Sequence, residues 1–222
     1  MRAVLLGVLS VLGVAMPPPV AVAQQTAAQP KIGFFVTSVG LGRGANLGGL
    51  QGADAHCQKL AASAGAGDRK WQAYLSQIGS GGQPNYNARD RIGAGPWYNA
   101  KGVLIAQSVD ALHSDKNNLN KTTALTERGD VVNGRGDTPN RHDILTGADA
   151  KGMIIPGNYI NSTCGNWVRW FGEGSAMVGH HDREGGGESG TSWNSAHPTK
   201  GCAQSDLEAS GGAGLFYCFA VN

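Results

Sequence analysis

The chain has 222 residues, with 18 Lys and Arg against 16 Asp and Glu and a formal charge of +2. Nothing in it resembles the clustered basic stripe that phosphate binding needs, which argues against a nucleic-acid partner. Thirty-five glycines and an aromatic content of only 7% predict a loop-rich fold with many tight turns, not long amphipathic helices.

Residues 1–23 read as a signal peptide. Arg2 gives a positive start, residues 3–15 a short apolar run, Pro17-Pro18-Pro19 a break, and Ala21-Val22-Ala23 the small-x-small cleavage pattern. The apolar run stops well short of the ~20 residues that cross a bilayer, and no second run of that length follows, so no membrane span is expected in the mature chain. Residues 24–31 form a polar, flexible leader. Residues 32–222 then make one domain of roughly 200 residues, enough for a real core.

Within that domain, residues 32–39 are a β-rich run and the expected first strand, followed by a glycine-punctuated loop over 40–49. Residues 50–64 are the one clear helix, closed by Gly65. Residues 71–76 alternate as a strand does. Residues 96–98 and 103–106 flank Asn99-Ala100-Lys101-Gly102 as a hairpin, 108–113 supply one helical turn, and 144–146 a short strand. Residues 172–190 are glycine-rich and charged, hence a surface loop, and 214–221 are a strongly β-prone final strand. The pattern is α+β, with short strands and long loops.

Four cysteines, Cys57, Cys164, Cys202 and Cys218, contain no CxxC pair. Zinc knuckles use shorter spacings, so two disulfides in an oxidising compartment are expected, and three pairings are open. With the leader, this points to a secreted or periplasmic protein.

The order of features is also informative: a first strand, a Cys57-bearing helix, Cys164, the Trp193-Asn194 pair before Cys202, and a terminal Leu215-Phe216-Tyr217-Cys218-Phe219 strand. It resembles the C-type-lectin-like domain. The stretches Phe34-Phe35-Val36-Thr37-Ser38, Asn46-Leu47-Gly48-Gly49-Leu50, Gly52-Ala53-Asp54, Ala88-Arg89-Asp90-Arg91-Ile92 and Leu145-Thr146-Gly147 look more specifically like a bacterial exported group. That group has an endostatin-like variant of the fold, and its members are often called lectins. The resemblance covers nearly the whole mature chain. It implies short antiparallel strands, an outer Cys57–Cys218 disulfide joining helix to last strand, an inner Cys164–Cys202 disulfide bracing the long loops, and Trp193 in the core.

The sugar-binding pattern of that fold is incomplete here. Calcium-dependent members use a Glu-Pro-Asn or Gln-Pro-Asp loop with a Trp-Asn-Asp strand, because calcium needs 6 to 8 oxygens. In this chain Ser195 follows Trp193-Asn194, and Ile155-Pro156-Gly157-Asn158 lacks the acid. Two charged ligands are therefore missing, and calcium is possible only with an incomplete ligand set. The resemblance and the polar loops point to Asn158, Asp182, Glu188 and Asn194 as carbohydrate-binding candidates. His180, His181 and Asp182 are weak metal candidates, with Trp167, Trp170 and Phe171 as nearby aromatics. His142-Asp143 and His113 with Asp115 are the kind of neighbours that recur by chance. Arg89-Asp90-Arg91 reads as an internal salt-bridge knot and Arg135-Gly136-Asp137 as a turn, and no G-x-S-x-G elbow supports hydrolysis.

The expected function is non-enzymatic binding of a glycan or glycoconjugate through the loops between Cys164 and Cys202. The alternative is a protein-binding or adhesion domain that uses the same fold without sugar.

Overall fold

The computed structural model describes residues 30–157, 159–187 and 189–221. The expected signal peptide, all but the last two residues of the expected leader, and the candidates Asn158 and Glu188 lie outside the described residues.

The main sheet is organised by β8 (Gly212–Ala220). Its C-terminal half pairs antiparallel with β1 (Phe34–Val36) and β2 (Trp71–Ala73), so that Cys218 lies opposite both Phe35 and Ala73. Its N-terminal half takes β5 (Asp143–Leu145) in parallel, with an irregularity between Asp143 and Ile144. Antiparallel to β5 runs β6 (Met177–His180), and beyond it β7 (His197–Pro198). A separate hairpin joins β3 (Trp97–Tyr98) to β4 (Leu104–Ala106).

Strand alternation divides the core into two layers. Phe35, Trp71, Ala73, Leu145, Phe216 and Cys218 face one cluster, together with Ala53, Leu60 and Trp167. Phe34, Tyr74, Ile144, Leu215, Tyr217 and Phe219 face the other, with Trp97 and Trp193. Because both faces are covered, β8 is buried from Gly214 to Ala220, which is why its sequence reads as a continuous apolar run.

The first layer is closed by α1 (Gly49–Ser63), whose buried Ala53, Cys57, Leu60 and Ala61 follow the i, i+4, i+7, i+8 spacing of one helix face. Gly65, at φ 79°, turns the chain out of the helix, and the Ala66 N–H donates back to the Ala61 carbonyl. Asp54 fixes the helix laterally by accepting from the Ala73 N–H at 2.8 Å and from Arg91 at 2.7 and 2.8 Å.

The α+β class is as expected, with differences of detail. The helical turn expected at 108–113 is α2 (Val109–Leu112), and among the described residues α3 (Ile160–Trp167) and α4 (Gln204–Ser210) are added to it. The β5–β8 pair is parallel where only antiparallel pairing was expected. Residues 172–190 are not simply a surface loop, because β6 lies within them. Its Gly179 permits the Trp193–Asn194 backbone to lie directly on the strand, where a Cβ would run into the Trp193 carbonyl. The Arg89-Asp90-Arg91 residues are not tied to one another by their ion pairs: Arg91 pairs with Asp54, and Arg89 with Asp110.

Two disulfides cross-link the fold. Cys57–Cys218 bolts α1 to the centre of β8, with Cα atoms 5.6 Å apart, and Cys164–Cys202 ties α3 to the segment before α4 at 5.7 Å. These are the two pairs that the resemblance implies. No helix among the described residues is long and apolar enough to cross a membrane.

The bonds close loops of 161 and 38 residues. Replacing either pair by alanine should cost up to about 4–5 kcal/mol, the outer pair about 1 kcal/mol more than the inner. Guanidinium unfolding of the two double variants against wild type checks both the size and the order.

Candidate functional site

Three segments wall a surface cleft of about 520 Å³: Gly48 to Gln51 at the start of α1, residues 77–86, and the end of α3. The second wall is a tight loop in which Gln77 and Tyr86 exchange backbone hydrogen bonds of 2.9 and 2.8 Å.

The third wall is conformationally unusual. From Cys164 to Trp167 four successive residues are left-handed, at φ 47°, 67°, 58° and 68°. Only Gly165 adopts this region freely, and each of the others costs roughly 1–3 kcal/mol unless its surroundings impose it. Here they do. Cys164 is held by its disulfide, and its N–H donates to Ser175 O at 2.9 Å. Asn166 donates to Ile78 O at 2.8 Å and accepts from Ile78 N–H at 3.1 Å, which joins this wall to the opposite one. Trp167 is fully buried; its indole N–H donates to Ser76 O at 2.8 Å, and its carbonyl accepts from Leu47 N–H at 2.8 Å.

Gln51, Gln77, Gln83, Tyr86 and Tyr159 are the larger polar side chains on the cleft, and among the described residues no Asp, Glu, Lys, Arg or His lines it. Such a surface can accept and donate hydrogen bonds and offer aromatic faces without imposing a charge. Its volume lies within the range of small-molecule sites.

The described residues expected to bind sugar lie elsewhere, and they are inward ties. Asn194 is 1% exposed. Its amide donates to Tyr74 Oη at 3.0 Å, Asp149 O at 3.1 Å and Ala150 O at 3.3 Å, while its Oδ1 accepts from Ser192 at 3.1 Å. Trp193 is core, with its ring 4.9 Å from Tyr74 and 5.3 Å from Tyr217. Asp182 is buried and accepts from the Arg135 N–H at 2.6 Å, the Glu184 N–H at 3.0 Å and His142 at 3.3 Å. Burial alone would raise its carboxyl. The His142 ring and the two N–H donors more than reverse this and hold it well below the usual carboxylate range. Asp182 and Asn194 share no hydrogen-bond partner among the described residues. His181 Nε2 lies 3.1 Å from Asn133 O, and burial pulls its ring below the ordinary histidine range.

A second constellation gathers around Asp143, on the outer strands of the sheet. Asp143 lies opposite His180 across the β5–β6 ladder, and His197 lies opposite Val178, on the same face as His180. His142, just before β5, stacks its ring on His180, with centroids 4.0 Å apart and planes 13° from parallel. Asp143 Oδ1 is 3.2 Å from His142 Nε2, 3.3 Å from His180 Nε2 and 3.5 Å from His197 Nε2. Although these contacts are close, both Asp143 oxygens and His180 Nε2 are buried without an aligned hydrogen bond. Burial pushes the Asp143 carboxyl up, and the neighbouring imidazoles bring it back below its ordinary value. The contact with Asp143 raises His197 against the opposing effect of burial. Among the described residues, His142, Asp143 and His180 are the group whose donor atoms lie close enough together to hold a cation, with His197 beside them.

Sequence reasoning named His180, set the His142-Asp143 pair aside as chance neighbours, and did not name His197. The four residues of β6 carry no clear alternation, and only the β5–β6 ladder puts His180 opposite Asp143. No family model and no curated protein matches the chain.

Because Asn194 saturates carbonyl acceptors inside the fold, Asn194→Ala should cost about 1–3 kcal/mol of stability by leaving them unpaired. A urea melt reads this directly. A midpoint equal to wild type would show that the amide is not a structural tie.

Proposed function

We propose that the chain is an exported carbohydrate-binding module of C-type-lectin-like architecture, and that it takes a neutral sugar in the cleft between α1, residues 77–86 and the left-handed turn at Cys164–Trp167. The observation that carries this reading is the cleft's lining of glutamines and tyrosines, with no Asp, Glu, Lys, Arg or His among the described residues. Amides match the paired donors and acceptors of sugar hydroxyls, and a tyrosine ring offers its apolar face to a pyranose. The clamped turn adds pre-organisation, which lowers the ordering cost of binding.

The lectin-like assignment is further supported by the α1–β8 and loop-region disulfides and by the buried Trp193. Two disulfides and the N-terminal signal pattern support a secreted or periplasmic location. Calcium has no part in this reading, because the hydrogen bonds and ring contacts are direct, and no bond-breaking step is invoked.

One observation favours a second reading, protein binding. Trp170 and Phe171, just beyond the cleft-lining Val168, are 55% and 65% exposed and meet edge to face at 5.1 Å. Exposed aromatic pairs of this kind serve as anchors at protein interfaces.

A glycan array followed by calorimetry on the oxidised protein, with and without divalent metal, separates the two. Tyr86→Ala and Gln51→Ala, both at exposed positions, should weaken glycan binding by about ten-fold each, the loss of 1–2 kcal/mol of stacking or hydrogen bonding. Absence of binding to any glycan overturns the sugar reading. Capture of a protein partner that is lost in Trp170→Ala/Phe171→Ala but kept in Tyr86→Ala would replace it with the second.

A further inference from the structure

We propose that His142, Asp143 and His180, with His197 on the solvent side, form a zinc site that braces strands β5, β6 and β7. The proposal is independent of the sugar reading, since none of these residues lines the cleft.

Each imidazole has its Nδ1 directed at an oxygen that can only accept. His142 Nδ1 faces the Asp182 carboxylate at 3.3 Å, His180 Nδ1 faces Gly190 O at 2.7 Å, and His197 Nδ1 faces Pro198 O at 3.0 Å. A carbonyl or carboxylate partner requires the proton on Nδ1, so in the neutral ring Nε2 carries a lone pair. All three Nε2 atoms face one oxygen of Asp143 at 3.2–3.5 Å. Lone pairs converging at that distance repel unless positive charge lies between them.

Protons on all three rings would supply that charge, but they would place three imidazoliums against the two buried carboxylates of Asp143 and Asp182. Such a surplus of buried charge is strongly disfavoured. It would also demand aligned N–H···O bonds, and neither Asp143 oxygen has one. A divalent cation satisfies the same atoms without that surplus.

The spacing selects the ion. With metal–donor distances near 2.0–2.1 Å, the edges of a zinc tetrahedron are about 3.3–3.4 Å, close to the separations around Asp143 Oδ1. The donor atoms of His142, Asp143 and His180 all lie within 4.8 Å of one another. His197 Nε2 is 3.5 Å from Asp143 Oδ1 but lies outside the group of three, and its side chain is 39% exposed, so it is the ligand that would move inward to close the fourth, solvent-side position. Nitrogen-rich ligation suits zinc, while calcium and magnesium prefer oxygens alone. The Nδ1 partners are the outer contacts that orient metal-bound histidines, and Asp182 fills that place for His142.

The test uses the oxidised protein without a histidine tag, stripped with chelator, equilibrated with zinc sulfate and passed through gel filtration in the absence of glycan. One zinc per chain should be retained, with X-ray absorption showing nitrogen and oxygen neighbours at about 2.0 Å, and zinc should raise the melting temperature of the stripped protein. His180→Ala and Asp143→Ala should each lose more than about 100-fold in affinity, and Asp182→Asn about 10- to 100-fold. The half-exposed His197→Ala is the variant that keeps the core intact; it should fold and bind measurably more weakly. Wild-type protein that leaves the column with no zinc above the buffer blank overturns the proposal. Zinc retained undiminished by folded His197→Ala and Asp182→Asn overturns it too, because the ion then sits elsewhere.

Discussion

β8 is hydrogen-bonded to β1, β2 and β5 and covered on both faces, and the rest of the molecule takes its position from that strand. Odd residues of β8 enter one core layer and even residues the other, so a one-residue slip would exchange Tyr217 with Cys218 and ruin both. The Cys57–Cys218 bond makes such a slip impossible while α1 stays docked. Both candidate sites inherit this register. The start of α1 forms one wall of the cleft, and β5, aligned on β8, presents Asp143 to the histidines of β6 and β7.

The cleft and the imidazole cluster also share β5 by another route. Leu145 packs in the same layer as Trp167, and Gly147 passes beneath the Trp167 ring so closely that a Cβ there would meet it at 2.7 Å. Trp167 in turn ends the left-handed turn. The strain of that turn is therefore offset by contacts on every side: a disulfide at its start, two hydrogen bonds from Asn166 across the cleft, and a buried indole at its end. A turn held this way cannot relax when a ligand leaves, which is the condition for a pre-formed binding surface.

Much of the scaffold was legible in the sequence because its signals are local. The spacing of Ala53, Cys57, Leu60 and Ala61 marks α1, the unbroken run ending in Phe219 marks β8, and Gly102 marks the β3–β4 hairpin. The sites were not legible for the opposite reason. His142 and Asp143, His180, and His197 come from three strands that are remote in sequence, and only the sheet makes them neighbours. β6 is four residues long and sits in a glycine-rich, charged stretch, so its composition reads as loop. The left-handed turn runs Cys164-Gly165-Asn166-Trp167; its Gly-Asn pair marks a turn, but nothing in Cys164 or Trp167 announces that they share the left-handed conformation. Asn194 and Asp182 were recognised as polar groups with a purpose, but nothing local distinguishes a group that binds a ligand from one that binds the protein's own backbone.

That last distinction has a physical basis in this loop-rich fold. The connection from β5 to β8 runs through short elements, α3, β6, β7 and α4, and leaves many backbone groups outside any ladder. Each buried one needs a partner. Thr146 donates to Asn194 O, Asn194 donates to Asp149 O and Ala150 O, Asp182 accepts from the Arg135 and Glu184 N–H groups, and Tyr217 donates to Trp193 O. The polar side chains between the inner cysteines are thus largely consumed in holding the loops. Among the described residues the exceptions are Ser162 Oγ, His181 Nδ1, His180 Nε2 and both Asp143 oxygens, and of these only Asp143 and His180 face each other. In a region where nearly every other polar atom has been matched, an unmatched carboxylate facing three imidazole nitrogens is best understood as matched by something that is not protein.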